Sequence, residues 1–569
     1  MLTSPGRPYN DIPCMHRLSA STLAAVLLAS VAPAAHAQAV TGLGEDAATV
    51  GAGRLRLSIG GDWSLAQQSY VPDGQGGHIL QPLGAALTVD SLGAAQIAAL
   101  GPLQDSLRAA TGSSALHLSL GRSDTRVSQT TTRVPISLEA GVTRWLSLRA
   151  TLPMVHTISD IFFAANVDGN GANLGANPAR SDPSAFASDT ALVGQLARSA
   201  AAVATYCGGA GAGSSACAGS SALVTSTQAL SAELGSVYAV GGFAPVQSSA
   251  LQAQVDARIA SAKNAIGAFA AIPGSGVSSV SAAGVVAASA PVTTADVQSF
   301  LTDPTLGTAI APLRTIDRWH LGDAELTAKL TLFDSFALRG ESRFAPRGVN
   351  VRVSVSGGYR FPTGAAGSPD VILDVPQSGH TSALLAGGYV DVLLGRHLWS
   401  SFVAHYVRPR ASDVTIRAGA PGVVIAAASQ RVTASRTLGD IVELTATPRW
   451  VINDFFSFGG TYSYTRRSDD VYSATAALPL DGSVIALVAP PDVSSLGAGT
   501  MVQVHRVGGG LVFSNAHAVS LGRSHVPFDV AYQHLETIRV TAGSAPKYTT
   551  DQIVVRLYYG RGRGRAASR

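Results

Sequence analysis

The stretch Ser457-Phe458-Gly459-Gly460-Thr461-Tyr462-Ser463-Tyr464 alternates between aromatic residues and small or polar ones. In an extended chain, alternate side chains point to opposite faces, so the aromatic residues share one face and the serines and threonine share the other. Similar alternating runs, each ended by a turn, recur between residues 319 and 560. This periodicity of two predicts a protein built mainly of β-strands.

The start of the chain has the pattern of a secretory signal. A short apolar run at 23–31 follows His16 and Arg17 and precedes Ala35-His36-Ala37, a small-x-small cleavage pattern. We expect a signal peptide over 1–37, with translation starting at Met1 or Met15. Elsewhere no apolar stretch approaches the length of a transmembrane helix, so any membrane crossing has to be made by strands.

An export signal, alternating strands and aromatic residues near strand ends together predict an all-β, antiparallel transmembrane β-barrel in the bacterial outer membrane. Its apolar side chains would face lipid and its polar side chains the lumen. We expect about 12 strands. The first lies near residues 54–70, the second ends with 134–142, and the others lie near 146–152, 319–333, 350–361, 381–394, 398–410, 438–451, 455–467, 499–514, 526–540 and 550–559. Short and long connections alternate between them, as periplasmic turns and extracellular loops do in such barrels.

One connection differs from the others. Residues 165–318 are rich in Ala, Gly and Ser, and Leu251, Val255, Ile259 and Ile266 recur at the three- and four-residue steps of a helix. The expected organisation is therefore a signal peptide (1–37), first barrel strands (38–164), a mainly α-helical extracellular insert (165–318), remaining strands (319–560) and a basic tail (561–569). The pattern leaves open whether the insert is a lid or plug, a surface ornament, or a partly disordered loop.

The two cysteines that survive cleavage, Cys207 and Cys217, lie within the predicted insert. An even number of cysteines at short spacing in an exported chain indicates a disulfide. No CxxC motif is present, so we expect this bond to staple a loop.

Strand parity also predicts which charged side chains face the lumen, because charges facing lipid near the midplane would cost a few kcal/mol each. The inward residues expected on this basis are Glu139, Arg149, Glu325, Lys329, Arg352, Asp391, His405, Glu443, Arg449 and Arg556. They carry both signs of charge. Two interpretations stay open: a salt-bridge network across a partly filled lumen, or a polar lining that sets selectivity.

Several classes of function find no support in the sequence. With 40 Lys and Arg against 36 Asp and Glu, the chain is nearly neutral, which gives no reason to expect a nucleic-acid partner. No hydrolase elbow, zinc motif or phosphate-binding loop occurs, so we expect no catalytic residues, no metal and no cofactor. The expected partners are outer-membrane lipid and a small-molecule solute, and the oligomeric state is left open.

Two motifs resemble a known family. Gly322-Asp323-Ala324-Glu325-Leu326-Thr327-Ala328-Lys329-Leu330 and the strand running from Val353 into Phe361-Pro362-Thr363-Gly364 resemble the bacterial outer-membrane family linked to meta-cleavage pathways of phenol degradation. The strand–turn–strand at Leu138–Pro153 is similar as well. The resemblance implies an outer-membrane barrel that passes small solutes, often hydrophobic or aromatic ones.

The function expected from these observations is passive passage of a small solute through an outer-membrane channel or transporter. The alternative is a structural or surface-display barrel with a sealed lumen, whose helical insert binds a partner. Lumen charges would control the first function, and residues 165–303 would control the second.

Overall fold

The computed structural model describes residues 43–336, 347–373, 380–420, 422–477, 493–521, 523–524 and 526–560. The predicted signal peptide and basic tail lie outside the described residues. The strands are β1 (Arg54–Ala66), β2 (Gln68–Pro72), β3 (His78–Pro82), β4 (Asp124–Gly141), β5 (Leu146–Ala164), β6 (Leu174–Ala176), β7 (Phe243–Pro245), β8 (Ile316–Leu321), β9 (Glu325–Asp334), β10 (Val349–Arg360), β11 (Ala383–Leu394), β12 (Leu398–Pro409), β13 (Ser412–Arg417), β14 (Arg431–Thr437), β15 (Ile441–Val451), β16 (Phe456–Arg467), β17 (Val471–Ala477), β18 (Val502–Ser514), β19 (Phe528–Ala542), β20 (Ala545–Pro546) and β21 (Thr549–Gly560).

Twelve of these strands close into an antiparallel barrel in the order β4-β1-β21-β19-β18-β16-β15-β12-β11-β10-β9-β5, and β5 pairs back with β4. The first and last barrel strands are neighbours, since Arg54 pairs with Gly560. Closure leaves no free sheet edge around the ring, which is the condition for a β-sheet to cross lipid. The predicted barrel is confirmed.

The strand predicted over 319–333 is wrong in one respect, because it is broken into β8 and β9. β9 pairs with the first part of β5, at Leu146–Thr151, whereas β8 pairs with a later part of β5, at Met154–Ser159. Between them, the Gly322 amide donates to the Pro153 carbonyl at 2.8 Å. Proline has no N–H to donate to a regular ladder, and a β-carbon on Gly322 would lie 2.8 Å from the Pro153 ring. The regular pairing with β5 is therefore interrupted between β8 and β9.

The outer face of the barrel is apolar. The outward side chains of different strands are between 44% and 57% exposed: Leu138, Leu148, Leu326, Leu444, Trp450, Phe458 and Leu511. In water this band would leave a large apolar surface uncovered, whereas in a bilayer it faces lipid tails. Among the residues that the structure describes, none of the helices combines the length and apolarity that a membrane crossing requires.

The helices lie in the long connections, most of them in the predicted insert. They are α1 (Gly101–Thr111), α2 (Pro183–Gly208), α3 (Ser220–Leu234), α4 (Ala250–Ala270), α5 (Thr294–Thr302) and α6 (Ala516–Ser520). The predicted disulfide is confirmed and joins Cys207 to Cys217 beside α2. Helix α5 begins with a capping box in which Thr293 and Asp296 satisfy each other's backbone amides.

A single apolar cluster joins the insert to the barrel wall. It contains Leu192, Val255 and Ile266 of the insert, and also Ile161 and Phe163 of β5. β5 is longer than expected because its upper part lies against these helices. Helix α1, in the connection between β3 and β4, packs against α3 and α4. Sequence reasoning did not expect that helix.

Candidate functional site

The lumen holds a segment of the chain itself, residues 43–53, here called the lumen segment. It precedes β1 and folds back into the barrel. The segment meets β4 where the Gly53 amide donates to the Gly141 carbonyl at 2.9 Å. Ala47 packs nearly opposite to β4, against β11 and β12, and Leu43 packs against β18 and β19. The lumen segment therefore extends from one side of the barrel to the other.

Hydrogen bonds hold the middle of the lumen segment. The Lys329 ammonium donates to the Asp46 carbonyl at 2.8 Å, and Ser354 Oγ donates to the Ala47 carbonyl at 2.5 Å. The Ala47 amide donates to Asp391 at 3.1 Å. These contacts satisfy backbone groups of a non-regular chain that is buried inside the barrel, as buried backbone requires.

Acidic side chains of the lumen segment meet basic side chains of the wall. Glu45 forms an ion pair with Arg149, and His405 Nε2 lies 3.1 Å from the Glu45 carboxylate. Burial acts to raise the pKa of Glu45, but Arg149, His405 and Lys329 lower that pKa well below its usual range. The Glu45 carboxylate is therefore held in its charged form.

The lumen segment divides the remaining space into two cavities. One, of about 330 Å³, is bordered by Glu45, Asp46 and wall residues that include Arg56, Lys329 and Tyr389. The other, of about 210 Å³, lies on the side of Glu443, Thr461 and Gln533, and Glu45 borders it as well. Both cavities have mixed linings, in which charged and polar side chains stand beside apolar ones such as Leu385 and Val554 in the larger cavity and Leu535 in the smaller.

Seven of the ten sequence-predicted lumen residues border the two cavities. Six border the larger cavity: Glu139, Arg149, Glu325, Lys329, His405 and Arg556. Glu443 borders the smaller cavity, which His405 also reaches.

The other three are buried in the wall near the lumen segment. Arg352 lies 3.5 Å from Asp391 and 3.7 Å from Asp334 in an acid–base cluster. Arg449 stacks over the Trp399 ring with its guanidinium carbon 4.7 Å from the ring centre.

The wall carries both ion pairs and a lining, so the two interpretations left open by the sequence describe the same side chains. Arg56 pairs with Glu139 at 2.5 Å, and Arg360 pairs with Glu325 at 2.7 Å. Arg556 lies 3.6 Å from Asp529 and also donates to the Gly44 carbonyl at 2.8 Å.

Sequence reasoning missed some of these residues. Strand parity, applied to every strand, would have found Arg56, Arg360 and Asp529. Glu45 and Asp46 carry one signal only, since they are an acidic pair in an otherwise uncharged run between the expected cleavage site and β1. That signal does not tell where the pair lies.

Loops from nearly opposite sides of the ring meet at the end of the barrel that carries the long connections. This is the end opposite to the one at which the lumen segment leads into β1. Ile97, in the connection before β4, bridges to Ile425, in the connection after β12, and the Ala98 amide donates to the Ile425 carbonyl at 3.0 Å. We call these joined segments, residues 96–98, 304–313, 370, 417–420 and 422–431, the loop cover. Because its ends rise from distant strands, the loop cover crosses the barrel mouth.

Arg417 is the centre of the loop cover. It donates to the Ala309 carbonyl at 2.9 Å and the Ala426 carbonyl at 3.0 Å, and it pairs with Asp370 at 2.6 Å. Arg431 pairs with the same carboxylate. Burial acts to raise the pKa of Asp370, but the two guanidinium groups lower it below its usual value. One arginine therefore ties three connections together.

No protein-family model matches the sequence, and no curated protein matches it. Among solved structures, an outer membrane channel from Pseudomonas putida F1 has 8% identity and a TM-score of 0.38, with 93% of this chain and 100% of that chain covered. The Ralstonia pickettii toluene transporter TbuX has 9% identity and a TM-score of 0.26, with 90% of each chain covered.

The translocator domain of the autotransporter NalP from Neisseria meningitidis is another such neighbour. It has 6% identity and a TM-score of 0.25, and the match covers 90% of this chain and 89% of that chain. Likeness at this level does not assign a function. The link to phenol-degradation pathways implied by the motifs at 322–330 and 353–364 is not shown by any of these comparisons.

Proposed function

We propose that this protein is an outer-membrane channel for the passive passage of a small solute, and that the lumen segment closes it in the state described. The observation that carries the proposal is the combination of a closed barrel, an apolar outer face and a charged lumen with cavities on both sides of the lumen segment. A closed barrel satisfies its backbone hydrogen bonds in lipid and leaves the lumen for polar groups.

The resemblance noted in the sequence implies a hydrophobic or aromatic solute, and one of the structural neighbours is named for toluene. We do not transfer that solute to this chain, because charged side chains of both signs border its larger cavity. Desolvating those side chains against a hydrocarbon would be costly. A polar or charged solute fits the lining better.

The test is single-channel conductance of the refolded protein in a planar bilayer. Three forms are compared: the intact mature chain, a form in which residues 43–50 are deleted, and a form in which residues 165–303 are replaced by a short Gly/Ser loop. We expect rare or small currents from the intact form and a steady current after deletion of 43–50.

The shift in gel mobility on heating checks that each form is folded. A steady current only after replacement of 165–303 would make the helical insert, rather than the lumen segment, the closing element. Silence from all three folded forms would overturn the channel and favour a sealed barrel whose insert binds a partner.

A further inference from the structure

The surroundings of Glu45 are those of a carboxylate-binding site. Arg149 pairs with the carboxylate, and His405 Nε2 stands 3.1 Å from its second oxygen. The Tyr389 ring packs edge-on against His405 at 5.6 Å, and the Lys329 ammonium lies 3.8 Å from the centre of the same ring. Lys329 donates to the adjacent Asp46 carbonyl and adds electrostatic attraction for the Glu45 carboxylate. An arginine and a histidine at one carboxylate, with a lysine beside them, give charge-assisted recognition.

The neighbouring Asp46 has a similar environment. Its burial acts to raise its pKa, but Arg56, Lys329, Arg352 and Arg556 lower that pKa from its usual value. Among the described residues, six basic side chains of arginine and lysine act on the two carboxylates of the lumen segment, and four wall carboxylates pair with members of this group. The basic side chains are Arg56, Arg149, Lys329, Arg352, Arg449 and Arg556, and the wall carboxylates are Glu139, Asp334, Asp391 and Asp529. The two acidic side chains of the segment compensate this excess.

The position of Glu45 is also informative. It borders both the larger and the smaller cavity. A solute that crossed the barrel would therefore pass the point where this carboxylate lies. The segment does not merely fill space there, because it places an anion on the group of cations that such a solute would meet.

We propose that the lumen segment is a pseudo-ligand, in which the Glu45 carboxylate occupies the subsite for the carboxylate of a small organic anion. Arg149, Lys329 and His405 form this subsite, and the larger cavity takes the body of the anion. This inference rests on the proposed channel function and names its solute class. When the lumen segment leaves, the wall keeps its excess of cations and the open channel prefers anions.

The first experiment measures ion selectivity. Glu45→Gln keeps the shape of the side chain and removes the charge that Arg149 holds. We expect this variant to open more often than the parent chain. In a KCl gradient, its reversal potential should lie closer to the equilibrium potential of chloride than to that of potassium. Asp105→Asn is the matched control, because the Asp105 side chain is 75% exposed on α1 and distant from the lumen in its contacts.

The second experiment uses benzoate as the probe and benzyl alcohol as an uncharged molecule of similar size. Binding to the refolded barrel in detergent is measured by calorimetry. We expect benzoate to bind Glu45→Gln about tenfold more tightly than the parent, the effect of one charge-assisted hydrogen bond. We expect the double variant Glu45→Gln with Arg149→Gln to lose that gain, and benzyl alcohol to distinguish none of the forms.

The outcomes separate this inference from the proposed function. A conducting but cation-preferring Glu45→Gln channel, or equal binding of benzoate and benzyl alcohol, would overturn the pseudo-ligand and leave the channel standing. Absence of current from every folded form would overturn the channel. In that case, tighter benzoate binding by Glu45→Gln would still support the carboxylate subsite, and unchanged binding would remove it too.

Discussion

Arg149, on barrel strand β5, forms an ion pair with Glu45, which lies 104 residues earlier in the chain and outside the barrel strands. The pair joins the wall to the lumen segment at the point where both cavities meet. It explains how a stretch without regular structure is held inside a charged lumen.

A disulfide across the lumen should lock the segment in place. Thr49 Oγ1 and Thr331 Oγ1 lie 3.0 Å apart, so cysteines at these two positions bring their sulfur atoms within bonding reach. We expect Thr49→Cys with Thr331→Cys to show less current than the parent when oxidised and to regain it in dithiothreitol. The parent in dithiothreitol is the control, since it carries its own disulfide. Equal currents before and after reduction would show that the segment does not gate the lumen.

A change without charge should also displace the lumen segment. A β-carbon on Gly141 would lie 2.0 Å from the Gly51 carbonyl oxygen, a distance that the segment has to relieve by moving. We expect Gly141→Ala to raise the open probability and to cost about 1–3 kcal/mol of stability. Gly388→Ala is the control, because nothing lies within 4 Å of the added atom. If the two variants conduct alike, the contact at Gly141 does not hold the segment.

Loss of the Arg417 contacts should loosen the loop cover. Lysine keeps the charge but cannot reach two carbonyls and the Asp370 carboxylate with a planar fork. We expect Arg417→Lys to destabilise the cover by about 3 kcal/mol and to speed hydrogen exchange over residues 304–313 by mass spectrometry. Arg314→Gln, an exposed change just beyond that segment, should leave the exchange unchanged. If residues 304–313 of Arg417→Lys exchange their amide hydrogens as slowly as those of the parent, the Arg417 contacts do not hold the loop cover together.

The insert should be more stable in mild acid because of Asp189. Its side chain is fully buried in α2, its Oδ1 accepts from the Val286 amide at 2.7 Å, and burial raises its pKa to about 6. A carboxyl whose pKa is higher in the folded state than in the unfolded state favours folding at low pH. That contribution is lost as the pH rises through about 6.

We therefore expect the helical thermal transition, followed by circular dichroism, to fall between pH 5 and pH 7.5 in the parent. Asp189→Asn should remove this dependence and stabilise the insert at pH 7.5 by about 1–3 kcal/mol. The exposed change Asp105→Asn should keep the pH dependence of the parent. A parent transition that does not move with pH would contradict the assignment to Asp189.

Much of the barrel follows from local sequence. The alternation at Ser457–Tyr464 predicts a strand at 455–467, and the structure has β16 at Phe456–Arg467. The same rule explains why Lys329 and Arg352 face inward, because the side-chain direction of a strand depends only on its parity once one face meets lipid. Cys207 and Cys217 were close enough in the chain for their pairing to be read from spacing.

Other features depend on the closed ring. The Arg556 guanidinium meets the Gly44 carbonyl across 512 residues of sequence, a contact that exists only because β21 and β1 are neighbours in the barrel. The position of Glu45 and Asp46 has the same origin, since a segment without periodicity carries no local signal of what it will touch. The break between β8 and β9 could not be predicted from residues 316–334 alone, because it depends on the contact of Gly322 with Pro153 of the neighbouring strand β5.

Short-range periods and spacings in the sequence were enough to predict the twelve-stranded barrel, the helices at 183–208 and 250–270, and the disulfide, but not the break between β8 and β9 or the small sheet of β13, β14 and β17. Three features appear only in the folded protein: residues 43–53 occupy the lumen, α1 packs against helices of the insert, and Arg417 joins three connections. Those contacts link distant parts of the chain, and only closure of the barrel brings the groups within hydrogen-bond distance.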